Sequence, residues 1–417
     1  MKKVYSKPFL LALGIILALT ISFQTVCFGQ GRAAIYGTVE TIDGNSYTGA
    51  LRWGKEEAFW SDMFNSEKPT NTNVKYLSKS DYEKLKGEDE GWSSKYSLNF
   101  IWDDEYKAST HSFACRFGEI ARIDIEGRNE VILTLKNGEK LELGGGSNDV
   151  GADIQVRDNE LGEISVSWDR IESIRFSATP SRLAAHFGKP LIGKVTTDRG
   201  EYSGRIQWDH DEATGEDKLD GDTDDGDVSI NFENIAAIEK DGRGANVTLV
   251  SGRSIYLYGS NDVNSGNRGV VINLPDLGKV LVNWKDFQKV EFTWDRNMDM
   301  MSYDDFSSPK KIKGTVKTTN GENLRGELIY DLDETWDMEM LDGTDENTDY
   351  SIPFRYIKRI KPKNYAYTEV ILKNGQKLLL GGSQDVTDKH DGVLIFNRGG
   401  NNPTYVSWKE IEEITID

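Results

Sequence analysis

Cysteine is nearly missing from this chain of 417 residues: there are two, Cys27 and Cys115, so no framework of internal disulfides holds the fold together. Histidine is almost as scarce. His111, His186, His210 and His390 show no metal-ligand spacing among themselves. No Gly-x-Ser-x-Gly elbow, phosphate-binding glycine loop or His-Glu-x-x-His stands anywhere in the sequence, which removes the common signatures of hydrolase, nucleotide and zinc chemistry. Positive charge is also in deficit, with 50 Lys and Arg against 69 Asp and Glu and a net charge of −19. Such a surface repels phosphates and anionic lipid headgroups, so neither nucleic acid nor an acidic membrane surface is an expected partner.

Long apolar runs are absent after the first 30 residues. The one such run, Phe9 to Phe23, follows Lys2, Lys3 and Lys7. Its fifteen residues are too short for a bilayer core of about 30 Å as a helix, so the start reads as a cleavable signal peptide over residues 1–29, cut after Gly29. An uncleaved anchor and lipid attachment at Cys27 are the competing readings. A bacterial protein exported to the periplasm, outer surface or medium is expected, with no membrane-spanning segment after cleavage.

Internal repetition is what the chain has in abundance. Gly37-Thr-Val-Glu-Thr-Ile-Asp-Gly44 returns as Gly193-Lys-Val-Thr-Thr-Asp-Arg-Gly200 and as Gly314-Thr-Val-Lys-Thr-Thr-Asn-Gly321. Each is followed by a second glycine and then an aromatic: Trp53, Trp208 or Tyr330. A phenylalanine with isoleucines at three-residue spacing comes next (Phe117, Phe232, Phe354), then a Ser-Asn/Gln-Asp-Val loop ending at Val150, Val263 or Val386. Each copy closes on a tryptophan: Trp168, Trp284 or Trp408. From the phenylalanine to the closing tryptophan the gaps are 51, 52 and 54 residues. From the aromatic to the phenylalanine they are 64, 24 and 24, which leaves the first copy an insertion of 40 residues within 54–112. The expected organisation is module 1 over residues 30–176, module 2 over 190–292 and module 3 over 311–417, with linkers 177–189 and 293–310.

Alternating apolar positions and Asp-Gly, Asn-Gly or Ser-Gly turns make the local pattern β-hairpins throughout. The three-residue spacing after each Phe or Trp fits a single 3₁₀ turn between strands. Two hairpins, a 3₁₀ turn and a last strand resemble an SH3-like or Sm-like small barrel. That pattern occurs twice per module of roughly 120 residues, which predicts an all-β chain of three barrel pairs; a six-bladed β-propeller is the alternative.

Candidate sites are few. Asp209 to Asp227 holds ten Asp or Glu in 19 residues, and Asp331 to Asp349 holds nine in 19. Crowded carboxylates suit a hard cation such as Ca²⁺, and Asp220, Asp222, Asp224, Asp227, Asp342 and Asp345 are the candidate ligands. The EF-hand pattern nevertheless fails, because Asp225 stands where its glycine belongs; a solvated acidic loop, with no cofactor, is the plainer reading. Trp168, Trp284 and Trp408 share a face with apolar neighbours at alternate positions and read as core. Trp60, Trp92 and Trp102 lie off the pattern and are the candidate ligand contacts. The repeated Asp149, Asp262 and Asp385 read as turn formers. Together these features point to a non-enzymatic binding or scaffold protein whose partner is a protein or polysaccharide of the cell envelope. A carboxylate-dependent hydrolase of an envelope polymer and a calcium-dependent polysaccharide-binding protein are the alternatives.

Overall fold

A computed structural model describes residues 31–88, 111–145, 149–183, 185–294, 300–397 and 402–417, and it is all-β with antiparallel pairing. Module 1 contains β1 (Tyr36–Thr41), β2 (Ser46–Trp53), β3 (Met63–Lys68), β4 (His111–Arg116), β5 (Ile120–Ile125), β6 (Glu130–Leu135), β7 (Lys140–Gly144), β8 (Ile154–Asp158), β9 (Gly162–Val166) and β10 (Ile171–Phe176). Module 2 contains β11 (Ile192–Thr197), β12 (Glu201–Trp208), β13 (Lys218–Thr223), β14 (Gly226–Asn231), β15 (Ile235–Asp241), β16 (Gly244–Leu249), β17 (Ser254–Leu257), β18 (Val270–Leu274), β19 (Gly278–Val282) and β20 (Phe287–Phe292). Module 3 contains β21 (Lys313–Thr318), β22 (Asn323–Tyr330), β23 (Met340–Asp345), β24 (Thr348–Pro353), β25 (Ile357–Pro362), β26 (Tyr367–Leu372), β27 (Lys377–Gly381), β28 (Val393–Phe396), β29 (Thr404–Val406) and β30 (Ile411–Ile416).

Module 1 orders its strands β4-β3-β7-β6-β5-β10-β1-β2-β8-β9. The pairings of module 3 give the same order, β24-β23-β27-β26-β25-β30-β21-β22-β28-β29. Module 2 follows it too, except that β13 and β14 form a separate two-stranded sheet tied to the rest by a bridge between Asp222 and Tyr258. This differs from two barrels in succession. The last strand of each module returns to pair with the first, so the two halves interleave as two five-stranded runs joined at β5–β10. No pairing among the described residues closes either run into a barrel.

Local chemistry accounts for these paths. Phe117, Trp168, Phe232, Phe354 and Trp408 each open a three-residue 3₁₀ turn, and the next strand's first N–H returns to the aromatic's own carbonyl. The paired glycines of each first hairpin are there because strands approach closely. A Cβ on Gly37 would run into the carbonyl of Arg175, and one on Gly49 into that of Arg157.

The cores cross module boundaries. One continuous apolar cluster runs from Leu191 in module 2 to Ile416 in module 3. The core of module 1 takes in Phe306, Trp336 and Met338 from beyond its own sequence. Buried aromatics of this size contribute several kcal/mol each by area, so the modules are bound as one body. β19 also pairs with β24, which joins modules 2 and 3 edge to edge.

The inserted residues occupy the later part of the 54–112 window. Residues 54–68 run as residues 209–223 do, and the extra chain occupies the β3–β4 hairpin between Lys68 and His111. Its described part holds a 3₁₀ turn, Thr72–Tyr76, and helix α1, Lys79–Glu88. Ser78 caps the helix: its Oγ accepts from the Asp81 N–H at 3.1 Å and donates to the Asp81 carboxylate at 2.5 Å.

Candidate functional site

Carboxylates recur at three equivalent places in each module, and all are drawn inward. The first is the aspartate of the Ser-Asn/Gln-Asp-Val loop. Asp262 Oδ2 accepts from the Asp220 N–H at 2.7 Å while Ser260 Oγ donates to the Asp220 carbonyl at 2.7 Å. Asp385 and Ser383 clamp Asp342 in the same way, at 2.6 and 2.8 Å. Asp149 accepts from both the backbone and the side-chain N–H of Asn65. The same aspartates offer their carbonyls to the aromatic of the second strand: Trp53 Nε1 to Asp149 at 2.7 Å, Trp208 Nε1 to Asp262 at 3.0 Å, and the Tyr330 hydroxyl to Asp385 at 2.6 Å. Burial pushes Asp149 and Asp262 each up to about 6, and lifts Asp385 well above the carboxylate range with Asp342 adding repulsion.

The second place lies four residues after that aromatic: Glu57, Glu212 and Glu334. Burial, then neighbouring acids, raises all three, Glu212 to about 9. In all three the surroundings favour the protonated carboxyl over the carboxylate.

The third lies nine residues after the aromatic: Asp62, Asp217 and Glu339. One oxygen of each takes two successive backbone N–H groups, from Ala58 and Phe59, Ala213 and Thr214, or Thr335 and Trp336. The carboxylate then meets a cation from another module. Arg205 pairs with Asp62, Arg52 with Asp217 at 2.9 Å, and Lys68 with Glu339 and, at 3.1 Å, Asp333. Burial alone would lower Lys68, but Asp333 and Glu339 more than offset it and its net shift is upward.

Two of the three glutamates line cavities at module boundaries. One of about 240 Å³ is enclosed by Lys68 and His111 of module 1 and Asp333, Glu334, Asp342 and Asp385 of module 3. Its counterpart of about 230 Å³ sets Glu56 and Glu57 of module 1 against Gln207, His210 and Lys279 of module 2. Glu334 is 8% exposed, and its Oε2 has no hydrogen-bond partner among the described residues. A carboxyl in this position, beside a paired ammonium, can make a hydrogen bond to a small polar ligand, and in its protonated form can donate one. His111 Nδ1 stands 3.7 Å from Asp333.

The candidate metal ligands are scattered. The second part of each acidic stretch is a strand hairpin and the first part a turn: Asp220 and Asp222 lie on β13, Asp224 in its two-residue turn and Asp227 on β14 opposite Asp222. Asp342 lines the larger cavity, whereas Asp345 turns to Arg199 at 3.5 Å. Among the described residues no three acidic, histidine or cysteine side chains converge as metal ligands do. Trp60 is not at the surface. It is fully buried, its Nε1 donates to Thr179 Oγ1 at 2.9 Å, and its ring lies 4.6 Å from that of Tyr303, so packing and a satisfied N–H make it core. Trp92 and Trp102 lie outside the described residues. Trp168, Trp284 and Trp408 are buried.

The sequence reading missed the glutamates and the third set of acids. Their signal was a constant offset from Trp53, Trp208 and Tyr330, hidden in the first module because the insertion was located only to somewhere within 54–112. No protein-family model matches the chain, and neither does any curated protein or solved structure.

Proposed function

We propose that the chain is a non-enzymatic exported protein that serves as a rigid binding scaffold in the cell envelope or extracellular space, its partner a protein or polysaccharide there. Each five-stranded run is read as the open form of an SH3-like or Sm-like unit, paired within each module. One observation carries the scaffold reading: Asp62, Asp217 and Glu339 are each spent on a cation of another module. Acids used in this way fix the relative positions of three surfaces, and fixed surfaces bind a multivalent partner with little loss of entropy.

A second reading, a carboxylate-dependent hydrolase, is favoured by the unpartnered Glu334 Oε2 in its cavity. One experiment separates the two. Purified protein is incubated with envelope polysaccharides, with reducing ends and bound polymer both measured, for the parent and for Glu334→Gln. The scaffold reading expects saturable binding of a polysaccharide or envelope protein, no release of ends, and no effect of the substitution. Turnover that Glu334→Gln abolishes would refute it in favour of the hydrolase.

A further inference from the structure

Modules 1 and 2 meet through the same face of each. In module 1 this is the outer side of β2 and β8, where Ala50 lies opposite Arg157 and Arg52 opposite Gln155. In module 2 it is the outer side of β12 and β18, where Arg205 lies opposite Asn273 and Gln207 opposite Val271. The contacts are reciprocal. Arg52 reaches from the module 1 face to Asp217, and Arg205 from the module 2 face to Asp62, with Arg205 also over the Phe59 ring. Contact of one patch with its own equivalent is the mark of a two-fold interface, here built within one chain.

Module 3 has the same face on β22 and β28, with Glu327 opposite Phe396 and Ile329 opposite Leu394. No third module is left to cover it. The inserted segment of module 1 lies there instead: Val74, Leu77, Tyr82 and Leu85 pack on Ile329, Leu332, Leu394, Phe396 and Tyr405. Asn73 Nδ2 donates to the Leu332 carbonyl at 3.0 Å, and the Tyr76 ring meets Phe396 edge-on at 5.1 Å. The covered face is apolar where its two counterparts are charged, so uncovered it would be a contiguous hydrophobic patch of the kind that marks an interface.

We propose that residues 72–85 are a built-in plug on a self-association face. With the plug displaced, module 3 pairs with module 3 of a second chain, through the face that modules 1 and 2 use against each other. The occupant is a second copy because the equivalent faces already pair with each other in this fold. Ile329, Leu394 and Phe396 suit a symmetric apolar contact, which an apolar residue on the axis makes with itself. Glu327, at the rim, is held by Lys311 and Lys313, both at 3.4 Å.

The full chain is tested by light scattering in three forms. In the first, residues 69–110 are replaced by Asp-Gly, which gives module 1 the short β3–β4 hairpin that β13–β14 and β23–β24 already have. In the second, Leu77→Asp loosens the plug and leaves the hairpin intact. The third adds Ile329→Arg to the first. The parent is expected to be monomeric, the first two to double in mass with rising concentration, and the third to return to monomer. A synthetic peptide of residues 70–88 in excess is expected to dissociate the dimers. A shortened or Leu77→Asp chain with the parent's circular dichroism that stays monomeric through the micromolar range would overturn the proposal. So would a dimer that Ile329→Arg leaves intact.

Discussion

Asp149 offers the sharpest test of whether the inward acids are a cost borne by the fold. It is 1% exposed, and burial raises it from an ordinary 3.8 to about 6, against the opposing hydrogen bonds from Asn65. An acid whose folded pKa is raised stabilises the native state only in its protonated form. Its contribution is whole below the unfolded value, falls as pH climbs from about 4 to about 6, and is gone above that. Two units correspond to about 3 kcal/mol. Asp149→Asn removes the charge and keeps a carbonyl oxygen to accept from the Asn65 backbone and side-chain N–H. The variant is therefore expected to be more stable than the parent, by about 3 kcal/mol at pH 8 and about half that at pH 5. Urea unfolding followed by tryptophan fluorescence at the two pH values reads this directly, since Trp53 donates to the same residue's carbonyl. A variant less stable than the parent at pH 8, or a difference that does not change with pH, would refute the reasoning. It would mean that the charge itself holds Asn65.

Arg205→Met leaves Asp62 buried without its cation and is expected to cost about 3–5 kcal/mol, most of it restored by adding Asp62→Asn, as measured by chemical denaturation of the single and double variants. A thermal melt is expected to be the same in chelator and in millimolar calcium, because the acids of β13 and β14 do not converge; an upward shift abolished by Asp220→Asn and Asp222→Asn would make that hairpin a cation site. Residues 190–294 expressed alone lose the partners of Arg205 and Asp217 and are expected to melt well below the full chain and to be cut rapidly by protease; an equal melting temperature would show that the modules are independent.

The all-β class was legible because alternation and turn residues are local signals, and the 3₁₀ turns were legible from the spacing Phe117-Ile120-Ile123 and its kin. The strand order was not. Whether β10 pairs with a neighbour in its own half or returns to β1 depends on contacts across the whole module, which no local pattern encodes. The acidic stretches misled for a related reason. Asp220 and Asp222 were read by composition as loop, yet Leu219 and Gly221 alternate with them and face the core beside Leu257, so this is a strand with one wet face. Trp60 misled because the gap lengths confine the 40 inserted residues only to 54–112, a window that also contains Trp60. With residues 54–68 aligned to 209–223, it falls on a turn that every module has.

The three acids nine residues past the aromatic show how a repeated fold can be assembled into one body. In each, an oxygen is already committed to two backbone amides of its own turn, as Asp62 is to Ala58 and Phe59. The carboxylate is thereby oriented, and the remaining oxygen is aimed outward before any neighbour arrives. A preoriented acid loses little side-chain entropy on pairing, which is the usual reason that an ion pair contributes so little. Joining modules then requires only a cation at the right place on the other side. Two of the three sockets are filled from opposing equivalent faces, by Arg205 and Arg52. The third is filled by Lys68, immediately before the inserted residues, of which Val74, Leu77, Tyr82 and Leu85 cover the unpaired face. Module 1 therefore does for module 3 both things that module 2 does for module 1: Lys68 supplies the cation and the insertion buries the sheet.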